Sequence, residues 1–176
     1  MRKKPRECYI IDGYNVINSW PELVRLNSDL AEARDRLIHM LVEYGAYEKY
    51  DMIVVFDALF TDDEENTELI NPHFTVVYTG RGETADSYIE RLAYDYVRQG
   101  SEVHVVTSDG AEQSMILGAG AYRHPSKEFY TIIKRAKKEL RKGYLDKVKL
   151  PVSRNEIANN LDEGTLAKLD ALRKMK

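Results

Sequence analysis

Short apolar runs alternate with longer amphipathic stretches along most of the chain. Cys8-Tyr-Ile-Ile11, Met52-Ile-Val-Val-Phe56, Phe74-Thr-Val-Val-Tyr78 and Val103-His-Val-Val106 are brief, and most are rich in Ile and Val. Runs of this kind predict strands buried on both faces. Residues 29–47 predict a helix: Asp29 and Glu32 have capping-box-like spacing, and Leu30, Ala33, Leu37, Met40, Leu41 and Tyr44 then recur at helical period. Residues 84–98 predict another, with Ile89, Leu92, Ala93, Tyr96 and Val97 on its inner face and Gly100 as its stop. A short helix fits 111–117, an edge strand 121–123, and a basic helix 126–142. Ser153 with Glu156 marks a further helix start, and 165–174 fits a last short helix. The acidic stretch 62–68 reads as an exposed loop, and no internal repeat is visible.

Strands alternating with amphipathic helices predict an α/β fold with a mainly parallel sheet. The 176 residues suit one domain with an appendage. The expected division is a domain over 1–149, including the basic helix, and a helical tail over 150–176. In parallel α/β sheets the functional crevice lies outside the carboxyl ends of the strands.

Charge sharpens this picture more than bulk composition does. Residues 1–122 carry 11 Lys and Arg against 22 Asp and Glu, whereas residues 123–149 carry 10 against 3. An acidic body followed by a basic segment suggests a polyanionic partner, although a solvated lysine-rich helix would have the same composition. No apolar run approaches the ~20 residues of a membrane helix. The basic start is followed by too short an apolar run for a signal peptide. One cysteine, Cys8, excludes an internal disulfide, and four scattered histidines give no zinc-ligand spacing. His39 and His104 are expected in packing or surface roles. The expected compartment is the reducing cytoplasm.

Three expected strand ends carry an aspartate: Asp12, Asp57 and Asp109. Asp86 opens the helix after the third strand, and Glu90 follows one turn later on the same face. If the strands are parallel, these carboxylates share one sheet edge. Packed bare carboxylates repel, and a divalent cation removes that cost. An all-oxygen ligand set suits Mg²⁺ or Mn²⁺. Each residue also has a local explanation. Asp12 suits a turn, Asp109 a helix cap, Asp86 the helix dipole, and Glu90 an ion pair with a nearby arginine. Asn15 could bond toward Asp12, approach a substrate phosphate, or close its own Asx turn. Gly13 suits a tight turn after the strand. Gly80-Arg-Gly82 lacks the phosphate-loop patterns and reads as a turn, with Arg81 near enough in sequence to Asp86 to touch substrate.

The series Ile10-Ile-Asp-Gly-Tyr-Asn15, Val54-Val-Phe-Asp-Ala58, Glu83-Thr-Ala-Asp86 and Val106-Thr-Ser-Asp109, followed by a basic helix, resembles the YacP-type NYN-domain ribonucleases of the PIN-like nuclease group. The resemblance implies a PIN-like three-layer α/β/α fold and metal-dependent cleavage of RNA. It implies a metal site at Asp12, Asp86 and Asp109, with Asn15 as polar partner and Asp57 and Glu90 as accessory acids. It also implies action on mRNA in association with ribosomes; neither a DNA nor a membrane partner is expected. Lys134, Arg135, Lys137, Lys138, Arg141 and Lys142 are the candidate backbone contacts, flanked by Tyr130 and Tyr144. A non-catalytic RNA- or ribosome-binding adaptor is the alternative, and it should have lost a central carboxylate. A small-molecule phosphatase would need a DxDx[TV] strand end, where this chain has Asp12-Gly-Tyr-Asn-Val16.

Overall fold

A computed structural model describes residues 7–57, 65–108, 116 and 118–148, with side chains described only to residue 143 in the last segment. The elements are β1 (Cys8–Asp12), α1 (Gly13–Ser19), α2 (Pro21–Val24), α3 (Leu30–Glu48), β2 (Asp51–Phe56), β3 (Asn66–Asn71), β4 (Phe74–Tyr78), α4 (Ala85–Arg98), β5 (Val103–Val106), β6 (Tyr122–His124) and α5 (Ser126–Val148). They form an α/β fold around a six-stranded sheet of order β3-β4-β2-β1-β5-β6. Every ladder is parallel except β3 with β4.

Strand alternation divides the core into two layers. Tyr9, Ile11, Met52, Val54, Phe56 and Val76 pack with Trp20, between α1 and α2, and with Leu37, Leu41 and Phe129 from α3 and α5. Ile10, Ile53, Val55, Val77 and Val105 pack on the other face with Tyr88, Ile89 and Ala93 of α4. Residues one apart along a strand thus serve opposite layers, as the two-residue period of a strand requires. Both faces being covered explains why these strands are apolar throughout. Cys8 is buried in β1, and burial with nearby Asp51 pushes its thiol up to about 12, so it is protonated and unreactive at neutral pH.

The expected helix ends are realised by specific caps. The Asp29 carboxylate accepts from the Glu32 N–H at 3.0 Å, and the Thr84 hydroxyl accepts from the Ser87 N–H at 3.2 Å. After α4 the chain turns at Gly100, whose φ of +85° favours glycine.

Four features differ from the sequence expectations. Residues 66–68, read as part of a loop, belong to β3. That strand pairs along only one side and exposes most of its side chains, so it lacks an apolar pattern. Residues 13–24 form two short helices that periodicity did not reveal. Gly13 is not a turn residue but opens α1. A Cβ on Gly13 would overlap the Phe56 ring, with Cζ only 2.8 Å away, so close approach is what requires glycine. The basic helix continues to Val148. The expected helices at 111–117 and beyond 150 lie outside the described residues, apart from helical Ile116.

The chain divides into two units, residues 1–136 and 137–176, with the boundary inside α5. No helix among the described residues is long and apolar enough to cross a membrane.

Candidate active site

The sheet order creates a switch point beside β1. From β1 the chain crosses through α1–α3 to β2 on one side, and later through α4 to β5 on the other. The α4 crossover begins at β4 and passes over the opposite face of the sheet to β5, so the strand order reverses between β1 and β5, the position at which parallel α/β sheets place their ligands.

Asp12 stands at this position, only 8% exposed. Its Oδ1 accepts from the Asn15 N–H at 3.0 Å, making Asp12 the N-cap of α1. A cap uses little of a carboxylate's capacity of about four lone-pair sites, so capping and metal binding are compatible.

Asn15 does something that none of the three sequence readings contained. Its Oδ1 accepts from the Ser108 N–H at 2.9 Å and from the Ser126 hydroxyl at 2.6 Å. The Ser126 N–H donates to Ser108 Oγ at 3.0 Å, and the Trp20 indole N–H donates to the Ser126 carbonyl at 2.8 Å. One amide oxygen therefore ties the end of β1 to the end of β5 and the start of α5. The NH₂ group, the donor half of the amide, is the part of Asn15 that a phosphate oxygen could accept from.

Asp57 follows β2 and accepts from the Ala85 N–H at 2.7 Å. It thereby fixes the first turn of α4, where Asp86 is exposed to solvent. Glu90, one turn on, is half-buried. It lines an open cavity of about 520 Å³ with Ser87, Arg91, Tyr94, Gly118 and Ala119. Arg91 pairs with Glu83 at 2.7 Å, so the expected local partner of Glu90 is engaged elsewhere. Asp12, Asp57 and the start of α4 thus lie at one sheet edge. Asp109 lies outside the described residues, directly after Ser108.

Asp57 yields a direct stability test. Asp57→Ala is expected to cost about 1 kcal/mol in urea unfolding through loss of the acceptor for the first N–H of α4, whereas Asp57→Asn keeps an acceptor and most of that stability. Equal losses in the two variants would show that the bond to Ala85 is not what Asp57 contributes.

Arg81 is exposed in the turn before α4. Lys134 and Arg135 are exposed on α5, followed along the same helix by Lys137, Lys138, Arg141 and Lys142. Tyr130 packs against Trp20, with ring centroids 5.2 Å apart, so its ring is committed largely to the core. The side chain of Tyr144 lies outside the described residues. Two residues near Asp12 were not singled out in the sequence. Arg34 of α3 donates to the Tyr14 hydroxyl at 2.9 Å, and Tyr14 meets Phe56 edge-on at 5.2 Å. This brings a cation toward the first residues of α1. Tyr14 lies inside the Asp12-Gly-Tyr-Asn15 motif but Arg34 lies in no such pattern, and only the tertiary fold unites the two.

Asp12, Asp57, Asp86 and Glu90 offer only oxygen, the ligand type of a hard divalent cation, but among the described residues they do not form a group with three ligand atoms within 4.8 Å of one another.

A three-layer, mainly parallel domain with carboxylates beside its switch point has the architecture of the PIN-like nuclease superfamily. A family model, the YacP-like NYN domain, matches residues 9–174, and the chain belongs to that family. It is 39% identical over 141 residues to a Bacillus subtilis (strain 168) protein named Uncharacterized protein YacP, covering 77% of this chain and 82% of that protein. The crystal structure of Rae1 (YacP) from Bacillus subtilis is similar, with TM-score 0.69 and 32% identity over 96% of this chain and 95% of that one. A mutant of the same protein gives TM-score 0.71 and 30% identity, over 94% and 99%.

Proposed function

We propose that the protein is a Mg²⁺- or Mn²⁺-dependent endoribonuclease of the cytoplasm that cleaves mRNA in a ribosome-associated setting. The observation that carries this reading is Asp12, held as the cap of α1 at the end of the strand that pairs with β5, in a chain of the NYN family. The neighbouring Asp57 carboxylate fixes the turn that presents Asp86.

In this reading Asp12, Asp86 and Asp109 hold the ion, with Glu90 and Asp57 supporting them. When bound, the ion supplies an activated water and neutralises charge at phosphorus and on the leaving oxygen. The Asn15 clamp keeps the ends of β1 and β5 in register, so the carboxylates need not reorganise as charge develops. Arg81 and the cations Lys134, Arg135, Lys137, Lys138, Arg141 and Lys142 offset the repulsion between an acidic site and RNA by binding phosphates. Tyr94, half-exposed in the cavity beside Glu90, is placed to stack on a base.

Incubation of the purified full chain with RNA, with and without ribosomes, tests the proposal. Cleavage is expected with Mn²⁺ and lost with EDTA, giving fragments with 5′-phosphate and 3′-hydroxyl ends. Fragments ending in 2′,3′-cyclic phosphate would refute metal-activated water as nucleophile. Metal-independent binding with no cleavage in any arm would support the adaptor instead.

A further inference from the structure

The sheet edge opposite Asp12 carries a second group of metal-ligating side chains. Cys8 and Val103 pair across β1 and β5, and the Cys8 N–H donates to the Glu102 carbonyl at 2.9 Å. Glu7 and Glu102 therefore stand at the starts of neighbouring strands, where like charges oppose each other. His104 Nε2 lies 3.7 Å from Glu7 Oε2 and 3.6 Å from Glu102 Oε1. That nitrogen is buried and makes no hydrogen bond. An unpaired buried polar atom is costly, and neither glutamate oxygen comes close enough to pair with it.

The imidazole is firmly oriented. Its ring stacks on Tyr9 at 4.6 Å and on Tyr122 at 5.1 Å. Its Nδ1 lies 2.9 Å from His124 Nε2. With the proton on Nδ1, His104 donates to His124 and turns the Nε2 lone pair toward the two glutamates. Burial favours the neutral ring, outweighing the opposite pull of Glu7 and Glu102.

We propose that Glu7, Glu102 and His104 form a binding site for a divalent transition-metal ion, best matched by Zn²⁺. One atom from each residue can be chosen so that all three lie within 4.8 Å of one another. The two nitrogen–oxygen separations exceed hydrogen-bonding distance. They approach the ~3.4 Å expected between tetrahedral zinc ligands at ~2.1 Å from the ion. A mixed nitrogen and carboxylate set is suited to zinc, and three protein ligands leave a position for water. Side-chain exposures of 28% for Glu7 and 41% for Glu102 give the ion a path from solvent, while His104 at 11% forms the floor. The bond from His104 to His124 is the kind of outer contact that orients a metal-bound imidazole. An ion here would join the starts of β1 and β5 and, through His124, reach β6. The site is about 16 Å along β1 from Asp12, at ~3.3 Å per residue, and does not depend on the nuclease reading.

Zn²⁺ titration of the full-length chain tests the site by calorimetry and by proton–nitrogen correlation spectra of the histidine rings. The Asp12→Asn protein serves as parent, to weaken binding at the opposite edge. One Zn²⁺ event is expected that shifts the His104 Nε2 resonance, and Glu7→Gln with Glu102→Gln should weaken it at least tenfold, by about 10–100-fold. Unchanged affinity in the double variant would overturn the proposal. So would a His104 ring that stays protonated on Nε2 and unshifted under saturating Zn²⁺.

Discussion

Asp12→Asn is expected to abolish RNA cleavage while leaving the domain folded. The substitution separates two roles that one side chain combines. As the cap of α1, Asp12 needs only an oxygen to accept from the Asn15 N–H, 3.0 Å away. Asparagine supplies that oxygen and caps helices about as well as aspartate, so unfolding free energy should change by less than about 1 kcal/mol. In the proposed role of metal ligand, Asp12 needs its charge, which asparagine lacks. Loss of one preorganised electrostatic contact commonly costs about 10²–10³ in rate, and a central ligand should cost no less. Asp12→Ala provides the contrast, since it removes the cap as well and should cost a further ~1 kcal/mol of stability. Cleavage of a defined RNA at ordinary Mn²⁺ concentration, beside urea unfolding of each variant, reads both effects. Near-normal turnover by Asp12→Asn would sink the site assignment.

How legible these elements were depends on where their stability comes from. α3 and α4 announce themselves because their caps are local and their buried faces repeat at helical period. β1, β2, β4 and β5 are legible because burial on both faces leaves them uniformly apolar. β3 is not, because Asn66–Asn71 is held by backbone pairing with β4 while Leu69 is 70% exposed. α1 is not, because seven residues that include Gly13 and Asn15 have little helical tendency of their own. It is held by the Asp12 cap and by burial of Val16, Ile17 and the following Trp20.

The site divides in the same way. Aspartates directly after apolar runs could be read as sharing an edge, because strand direction alone brings them there. The clamp around Asn15 could not, because Ser108 and Ser126 are 93 and 111 residues away in sequence. Glu7, Glu102 and His104 escaped for a related reason. Their spacing matches no local ligand motif, and only the parallel pairing of β1 with β5 unites them.

Gly13→Ala is expected to destabilise the protein by about 1–3 kcal/mol, the usual cost of overpacking a core. Helix propensity argues for the opposite sign, because alanine inside a helix is favoured over glycine by ~1 kcal/mol. Sterics should win here because the new methyl would overlap the Phe56 ring, and that ring has little freedom to yield. Phe56 is fully buried, stacked on Tyr78 at 5.6 Å and meeting Tyr14 at 5.2 Å. A double-mutant cycle with Phe56→Leu, followed by urea unfolding, isolates the clash. Phe56→Leu alone should destabilise, but in its background Gly13→Ala should become neutral or favourable, giving a coupling of roughly 1–3 kcal/mol. Additive losses would mean that glycine is required for another reason. The same clash bears on catalysis, because Gly13 follows Asp12 and Phe56 precedes Asp57. A backbone movement that relieves it displaces one of those carboxylates, so Gly13→Ala should lose activity beyond its loss of folded protein. Phe56→Leu in the same chain should recover part of that activity, by letting the ends of β1 and β2 return to their places.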